Sequence, residues 1–328
     1  MQAYIKGSGM HVPGKVVPNS YFNEILGEDV DTWLRENLTI EERRWCSADE
    51  SVADLCVEAA GKAMDNSGVK ADEIDLLIIA TDTPEYISPS TASVVQERLG
   101  TVNAGTFDIN TACAGFVTAI TTATMFLNGD ENINNVLVIG AYAMSKYLDL
   151  NDKKTVTLFA DGAGAVVMGK TDAEGRGYHY SKLKSDGQYN GWMGIYAGAT
   201  HQPATAEVVE NKDHLLKFVK KFPKELNPQV WSEMIIEGFR KTGWSAAEVD
   251  HYLFTQININ SIWATLDILG ADRKKGHTIM SKYGYTGSAC IPMALDDLNQ
   301  KGLLKRGDKI VFMGSGGGLA FATAFFEW

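Results

Sequence analysis

Short apolar runs alternate with amphipathic segments along most of the chain. The runs that we predict to be buried strands are Leu76 to Ala80, Val136 to Ile139, Val166 to Met168, Tyr252 to Phe254 and Ile310 to Met313. Segments with a helical spacing of apolar residues, such as Val52 to Met64 and Trp231 to Lys241, precede some of these strands. Wholly apolar strands that alternate with helices are typical of an α/β fold whose sheets are covered on both faces.

The two halves of the chain share a sequence pattern. DEIDLLIIAT at residues 72–81 matches AEVDHYLFTQ at residues 247–256, an offset of 175 (247 minus 72). NNVLVIG, ending at Gly140, matches DKIVFMG, ending at Gly314, an offset of 174 (314 minus 140). Strands resemble one another by composition, but two matches at nearly one offset favour an internal duplication. We therefore predict two similar α/β halves, residues 1–170 and 171–328, with the functional site at their junction.

Composition and charge exclude several classes of protein. The 328 residues are 45% hydrophobic and 22% charged, as in a soluble globular protein, and no apolar run approaches the roughly 20 residues that span a membrane. The net charge of -11 argues against a nucleic-acid partner, although a locally basic mouth for a phosphorylated ligand is compatible with it. The first residues lack the basic and apolar stretches of a secretory signal, so we expect a cytoplasmic protein.

The four cysteines lack the spacing of a zinc site or a disulfide framework. Cys113 differs from the others because a strand is predicted to end near Ile109 and a helix rich in small residues to begin just after the cysteine. A thiol at a helix N-terminus should have a lowered pKa, since the free amides and the helix dipole favour the thiolate. The alternative is a buried structural cysteine in an alanine-rich helix.

Two segments are rich in glycine. In MGSGGGLAFATAF at residues 313–325, three consecutive glycines follow a strand, so backbone amides can approach a ligand and stabilise an oxyanion. This segment lacks the Lys-Ser/Thr of a P-loop and the GxGxxG of a dinucleotide site. LFADGAGAVVMG at residues 158–169 is predicted to form a turn before a strand and to pack tightly between the halves.

Four motifs, in order along nearly the whole chain, resemble those of ketoacyl-acyl carrier protein synthase III. They are PSTASVVQERLG from Pro89, NTACAGF around Cys113, DGAGAVVM from Asp161 and the closing GSGGG. The resemblance implies a thiolase fold, in which duplicated α/β halves form a five-layer αβαβα sandwich, and a homodimer. It also implies an acyltransferase that uses acyl-coenzyme A as a substrate and holds no permanent cofactor or metal.

The resemblance also assigns roles to individual residues. The nucleophile is Cys113, and the amides of Cys113 and Gly317 form the oxyanion hole. Trp33 stacks on the adenine of coenzyme A, and Asn258 contacts its pantetheine arm. Lys153 takes the place of an arginine that holds the nucleotide.

Two positions depart from the family pattern. The histidine of the family's His-Gln-x-Asn motif is Thr255 here, and the asparagine of its Gly-Asn-Thr-Ser motif is Tyr285. In the family this pair stabilises the enolate that forms when a malonyl thioester loses carbon dioxide, and the loss of one oxyanion donor costs about 2.7–4 kcal/mol. We therefore expect acylation to survive better than decarboxylative condensation. Tyr285 is either a hydrogen-bond donor in an altered reaction or a bulky plug in the former site.

Three further features leave alternatives open. Glu85 lies on a loop that in this family reaches toward the partner subunit's pocket, and it is either a catalytic base or a solvated carboxylate. A run of lysines either docks an acyl carrier protein or forms a solvated face; its members are Lys217, Lys220, Lys221 and Lys224. Residues 199–230 are expected to cap the pocket.

These features predict an acyltransferase of the synthase III type. Cys113 would take an acyl group from acyl-coenzyme A and pass it to an acceptor, by condensation or simple transfer, in fatty-acid or specialised-metabolite biosynthesis. The alternative is a catalytically weak structural subunit of a heteromeric ketosynthase. The nucleophile and the glycine loop favour the enzyme, whereas the missing histidine and asparagine favour the subunit.

Overall fold

The computed structural model describes residues 2–328. Its strands are β1 (Gln2–His11), β2 (Lys15–Pro18), β3 (Glu42–Trp45), β4 (Leu76–Ala80), β5 (Gly105–Ile109), β6 (Asn135–Ala143), β7 (Asp161–Thr171), β8 (Gly177–Ser185), β9 (Met193–Gly194), β10 (Lys217–Phe218), β11 (His251–Phe254), β12 (Lys309–Gly316) and β13 (Ala320–Glu327). Its α-helices are α1 (Asn19–Leu26), α2 (Asp31–Leu38), α3 (Val52–Ser67), α4 (Thr91–Leu99), α5 (Gly115–Gly129), α6 (Lys153–Val156), α7 (Ala206–Glu210), α8 (Leu226–Thr242), α9 (Ile259–Leu269), α10 (Met280–Tyr283) and α11 (Cys290–Gln300).

Two large sheets repeat one pairing pattern. The first has the strand order β1-β7-β6-β4-β5, and the second has the order β11-β12-β13-β8. In each sheet a parallel pair, β4 with β6 or β11 with β12, is followed by two antiparallel pairs. This repetition agrees with the duplication that the sequence indicates. The boundary between residues 170 and 171, in the last residues of β7, stays a prediction.

Helices cover both faces of each sheet and produce five layers. Helices α3 and α4 pack on the outer face of the first sheet, α5 and α11 lie between the two sheets, and α8 packs on the outer face of the second beside α9. Strand β4 is buried throughout. Its even-numbered residues join the central core with α5, and its odd-numbered residues join the core under α3. The predicted α/β fold and the predicted buried strands are confirmed.

Glycines in the strands let the central helices approach the sheets closely. A Cβ atom on Gly140 of β6 would lie 2.3 Å from the carbonyl oxygen of Ser288, just before α11. A Cβ atom on Gly314, the equivalent position in β12, would lie 3.0 Å from the Cα of Ala114, just before α5. Backbone therefore packs on backbone where each central helix begins.

One prediction about local structure is wrong. Residues 161–169 form no turn but belong to the continuous strand β7. The glycines there serve packing, as the sequence indicates, because a Cβ on Gly164 would lie 2.6 Å from the amide nitrogen of Met293 in α11.

The segment Ala112–Gly129, which contains α5, is apolar and long enough to cross a membrane, but 67% of it is buried inside the protein, as in a core helix.

Gly140→Ala should destabilise the protein by about 1–3 kcal/mol or more, because the added methyl group meets a backbone oxygen that cannot move independently. Gly61→Ala is the matched control: Gly61 lies inside α3 and its added Cβ meets nothing within 4 Å. We expect this control to be stabilised by about 0.5–1 kcal/mol. Urea denaturation of both variants tests the packing, and equal stabilities would contradict it.

Candidate active site

The carboxyl ends of three neighbouring strands place polar side chains together. Ala80, the last residue of β4, pairs with Ile109 of β5 on one side and with Gly140 of β6 on the other. Asp82 follows β4, Cys113 follows β5, and Tyr142 lies two residues beyond Gly140. These three side chains line one cavity of about 240 Å³. Ligands of α/β proteins commonly bind at such strand ends.

Cys113 is held in place by its backbone neighbours. Ala112 has a φ of 45°, which is uncommon for a residue other than glycine, and its amide donates to the side-chain oxygen of Asn110 at 3.0 Å. Gly316 lies so close that a Cβ atom there would be 2.6 Å from the amide nitrogen of Cys113. Helix α5 starts two residues after the cysteine, as predicted.

The predicted lowering of the thiol pKa is wrong. Cys113 is only 3% exposed. Burial raises its pKa well above the usual value, and the negative charge of Asp82 adds to this effect. A hydrogen bond from the Tyr285 hydroxyl acts in the opposite direction but does not reverse it. Desolvation therefore outweighs the helix terminus, because both sheets enclose the sulfur.

Tyr285 is part of the core and also a neighbour of the sulfur. Its backbone amide donates to the Leu158 carbonyl, and its carbonyl accepts from the Ala160 amide, both at 2.9 Å. Its ring packs on Phe159, with a centroid distance of 5.4 Å. The side chain is 1% exposed, and its hydroxyl is near enough to the Cys113 sulfur to oppose the rise in the pKa of that thiol. The ring therefore fills space beside the sulfur, and a role for Tyr285 as a hydrogen-bond donor in an altered reaction stays a prediction.

Thr255 has a different environment. Its hydroxyl accepts a hydrogen bond from the Ser315 amide at 2.9 Å and donates to the Ser315 carbonyl at 3.3 Å. It is 1% exposed and is not among the residues that line the two cavities containing Cys113. No histidine of the described chain lines these cavities either. The Thr255 hydroxyl therefore ties the end of β11 to β12.

Two cavities meet at Cys113. The inner cavity, about 240 Å³, is lined among others by Asp82, Asn110, Cys113, Tyr142, Asn190 and Ile195. The outer cavity, about 290 Å³, is lined among others by Trp33, Cys113, Lys221, Lys224, Asn258 and Tyr285. Cys113, Met193 and Gly317 line both, so the sulfur and the glycine loop lie at the passage between them.

The outer cavity has a basic mouth in an acidic protein. Lys154, Lys221 and Lys224 line it, and Trp33 at its edge is 54% exposed. Residues 218–227 also contribute several apolar side chains to the lining, and a cap formed by residues 199–230 stays a prediction. Lys153, the predicted nucleotide contact, instead pairs with Glu28 at 2.9 Å and does not line the cavity.

Asn258 and Glu85 have contrasting positions. Asn258 lines the outer cavity, and its side-chain oxygen caps α9 by accepting from the Asn260 amide at 3.0 Å. Glu85 lines neither cavity at Cys113; its carboxylate accepts a hydrogen bond from the Ala53 amide at 3.1 Å. Within one chain, Glu85 is thus bound at the start of α3 rather than at the thiol.

Asp82 is a polar residue of the site that the sequence analysis missed. One of its carboxylate oxygens, Oδ1, is buried without a hydrogen-bond partner in the described chain. Burial raises its pKa to about 6, and its own backbone amide opposes this only in part. The sequence does contain a signal for Asp82, an acidic residue two positions after a wholly apolar strand, in ATDTP.

Comparisons with known proteins place this geometry in a family. The family model of 3-oxoacyl-[acyl-carrier-protein] synthase III matches residues 107–187, and the model of its C-terminal region matches residues 239–328. The beta-ketoacyl-[acyl-carrier-protein] synthase III of Clostridioides difficile is 35% identical over 327 residues, covering 100% of this chain and 98% of that relative. The enzyme of that name from Clostridium botulinum is 37% identical over 328 residues, covering 98% of this chain and 97% of the relative.

Solved structures agree with the sequence comparisons. The crystal structure of 3-oxoacyl-[acyl-carrier-protein] synthase III from Aquifex aeolicus superposes with a TM-score of 0.89 at 29% identity, covering 99% of this chain and 100% of that one. The likeness extends over both halves of the chain and over the segments that carry Cys113 and the glycine loop. The chain therefore belongs to the 3-oxoacyl-[acyl-carrier-protein] synthase III family and has its thiolase fold.

Proposed function

We propose that this protein is an acyltransferase that carries an acyl group as a thioester on Cys113, with acyl-coenzyme A as the donor. The observation that carries the proposal is the position of Cys113 at the passage between two cavities. The outer cavity has a basic mouth suited to the phosphates of coenzyme A, and the inner cavity has room for an acyl group. A purely structural subunit has no need of this arrangement.

The acyl-coenzyme A molecule would lie across the outer cavity. Lys154, Lys221 and Lys224 supply positive charge for its phosphates, with Lys154 in the role that the sequence predicts for Lys153. The exposed ring of Trp33 offers a stacking surface for adenine, and the amide of Asn258 faces the path of the pantetheine arm. The whole protein would work as a cytoplasmic homodimer, in which Glu85 could act only across the subunit interface.

Acylation would transfer the acyl group from the sulfur of coenzyme A to the sulfur of Cys113. The Cys113 sulfur attacks the acyl carbonyl while the amides of Cys113 and Gly317 stabilise the oxyanion, and the thiol proton ends on the departing coenzyme A sulfur. The bond to the coenzyme A sulfur then breaks, and coenzyme A leaves as a thiol after taking a proton. Tyr285 supports the attacking sulfur, since its hydrogen bond favours the thiolate.

The second step is proposed to be transfer to an acceptor rather than efficient decarboxylative condensation. The Thr255 hydroxyl is used by the backbone of Ser315, so it offers no hydrogen to an enolate in the cavity. An acyl carrier protein remains a candidate partner, docking near the lysines that follow β10, in fatty-acid or specialised-metabolite biosynthesis.

Incubation with a panel of acyl-coenzyme A thioesters should add the mass of one acyl group to the protein, and Cys113→Ala should abolish this gain. Intact-protein mass spectrometry measures both. Cys290→Ala is the matched control, because Cys290 is equally buried but lines neither cavity. Absence of any adduct in the wild type would contradict the proposal and would favour the structural-subunit function.

Tyr285→Phe should make Cys113 less reactive, because the ring is kept while the donor to the sulfur is lost. The raised pKa of the thiol means that its alkylation by iodoacetamide accelerates as pH increases. Without the hydrogen bond the pKa rises further, and the rate at about pH 8 should fall roughly tenfold. Tyr180→Phe, which removes a hydroxyl bonded to Glu237 at 3.1 Å, is the control. An unchanged rate profile in Tyr285→Phe would show that this bond does not support the thiolate.

Replacing Lys154, Lys221 and Lys224 together by alanine should raise the concentration of acyl-coenzyme A needed for half-maximal acylation by roughly tenfold, since each exposed charge contributes about 0.2–1 kcal/mol. Acylation by acyl-pantetheine, which lacks the nucleotide phosphates, should not change. Lys153→Ala should have a smaller effect because Lys153 is paired with Glu28. Equal loss with both donors would show that the lysines act on folding or chemistry instead of on the nucleotide.

A further inference from the structure

The inner cavity contains a carboxylate that lacks a partner. Asp82 lies two residues after β4, the strand that pairs with β5 and β6, and it lines the cavity together with Cys113 and Tyr142. Its Oδ1 atom is buried and accepts no hydrogen bond in the described chain. Asp82 and Cys113 line the same cavity of about 240 Å³. A group attached to the sulfur that enters this cavity therefore shares it with the Asp82 carboxyl.

A buried acceptor without a partner is costly unless a ligand supplies a hydrogen. Burial raises the pKa of Asp82 to about 6, so the carboxyl is largely ionised at neutral pH. Asp82 as a whole is half-buried, so an apolar acyl chain would remove water from its exposed part and return no hydrogen bond. An acyl chain that carries a hydrogen-bond donor would give Asp82 a hydrogen bond in place of the one lost with the water.

The remaining lining of the inner cavity is polar on several sides. Asn110, Tyr142, Asn190 and Tyr196 contribute to it beside apolar residues such as Ile195. Small-molecule sites that are otherwise apolar commonly use a few such groups to orient and select their ligand. A cavity built only for a plain fatty acyl chain would have no use for a carboxylate.

We propose that the inner cavity selects acyl groups that carry a hydrogen-bond donor, a hydroxyl or a protonated amine, and that Asp82 accepts this hydrogen bond. This inference rests on the proposed function and specifies its substrate class. Asp82 thereby acts in specificity, through contact with the acyl group, and leaves the exchange of thioesters to Cys113.

The test measures the rates at which three acyl-coenzyme A thioesters acylate the wild-type protein at about pH 7.5. Butyryl-coenzyme A is the apolar reference, 3-hydroxybutyryl-coenzyme A adds a hydroxyl, and β-alanyl-coenzyme A replaces the terminal methyl group by a protonated amine. Intact-protein mass spectrometry gives each rate. We expect at least one donor-bearing group to react roughly tenfold faster than butyryl, as for a hydrogen bond to a charged group.

Variants of Asp82 distinguish a role in selecting the acyl group from a role in the chemistry or in folding. Asp82→Leu should accelerate butyryl transfer and slow the donor-bearing groups, so that the preference reverses. Asp82→Asn keeps the shape and an acceptor but loses the charge, and should weaken the preference for β-alanyl more than that for 3-hydroxybutyryl. Asp296→Asn is the matched control, because Asp296 is also buried but already accepts from Ser8 Oγ at 2.8 Å. It should keep the wild-type preference.

The preference should also depend on pH. Asp82 loses its charge as pH falls through about 6, so the preference for β-alanyl should be larger at about pH 7.5 than at about pH 5. The titratable groups that face Asp82 are Cys113, Tyr142 and Tyr147. Each has a pKa raised above an already high value, so none of them changes charge in this range.

Two results would overturn the inference alone. One is that butyryl reacts as fast as both donor-bearing groups in the wild type. The other is that Asp82→Leu and Asp82→Asn slow all three donors by the same factor, which would assign Asp82 to the chemistry or to folding. Absence of an adduct with every donor would overturn the proposed function, and this inference with it.

Discussion

The close contact of backbone with backbone at the starts of α5 and α11 is the constraint on which the site depends. Gly140, Gly314 and Gly316 lack the side chains that would separate the strands from these helix starts. The two sheets can therefore enclose Cys113 almost completely. That enclosure determines the electrostatics of the thiol, because the loss of water opposes its ionisation more strongly than the helix terminus favours it.

A thiol in this position depends on the few polar groups that remain near it. Tyr285 donates to the sulfur, whereas the negative charge of Asp82 opposes the thiolate. The segment that pairs with the backbone of Tyr285 is itself fixed from β3, because the Trp45 indole donates to the Phe159 carbonyl at 3.0 Å. Arg43, in the same strand, donates to the Thr157 carbonyl at 2.8 Å. The donor to the sulfur is therefore a rigid part of the core, not a mobile side chain.

The sequence predicts the elements of the site better than their electrostatics. Local pattern is sufficient for the strands and for the placement of Cys113 between a strand and a helix, since both follow from periodicity and small residues. The pKa of the thiol is not local, because it depends on burial by both sheets. Lys153 and Lys154 are adjacent in a one-turn helix, and only the folded chain shows which of them faces the cavity. Likewise, Glu85 is bound by the amide of Ala53, a contact between residues 32 positions apart.

The two departures from the family pattern have a common structural consequence. Thr255 joins β11 to β12 just before the glycine loop, and Tyr285 fills space beside the sulfur. If Thr255 and Tyr285 occupy the positions of the family's histidine and asparagine, then the positions that stabilise an enolate in the family stabilise the fold around Gly317 and Cys113 in this chain. Capture of an acyl group needs only the nucleophile, the oxyanion amides and a donor site, all of which are compatible with this geometry. On the proposed function, generation of a carbanion would lack the Thr255 hydroxyl, which is bound to the Ser315 backbone. On our proposal, such a site suits an acceptor that brings its own nucleophile, such as a hydroxyl, an amine or a thiol, and the polar inner cavity would decide which acyl group is passed on.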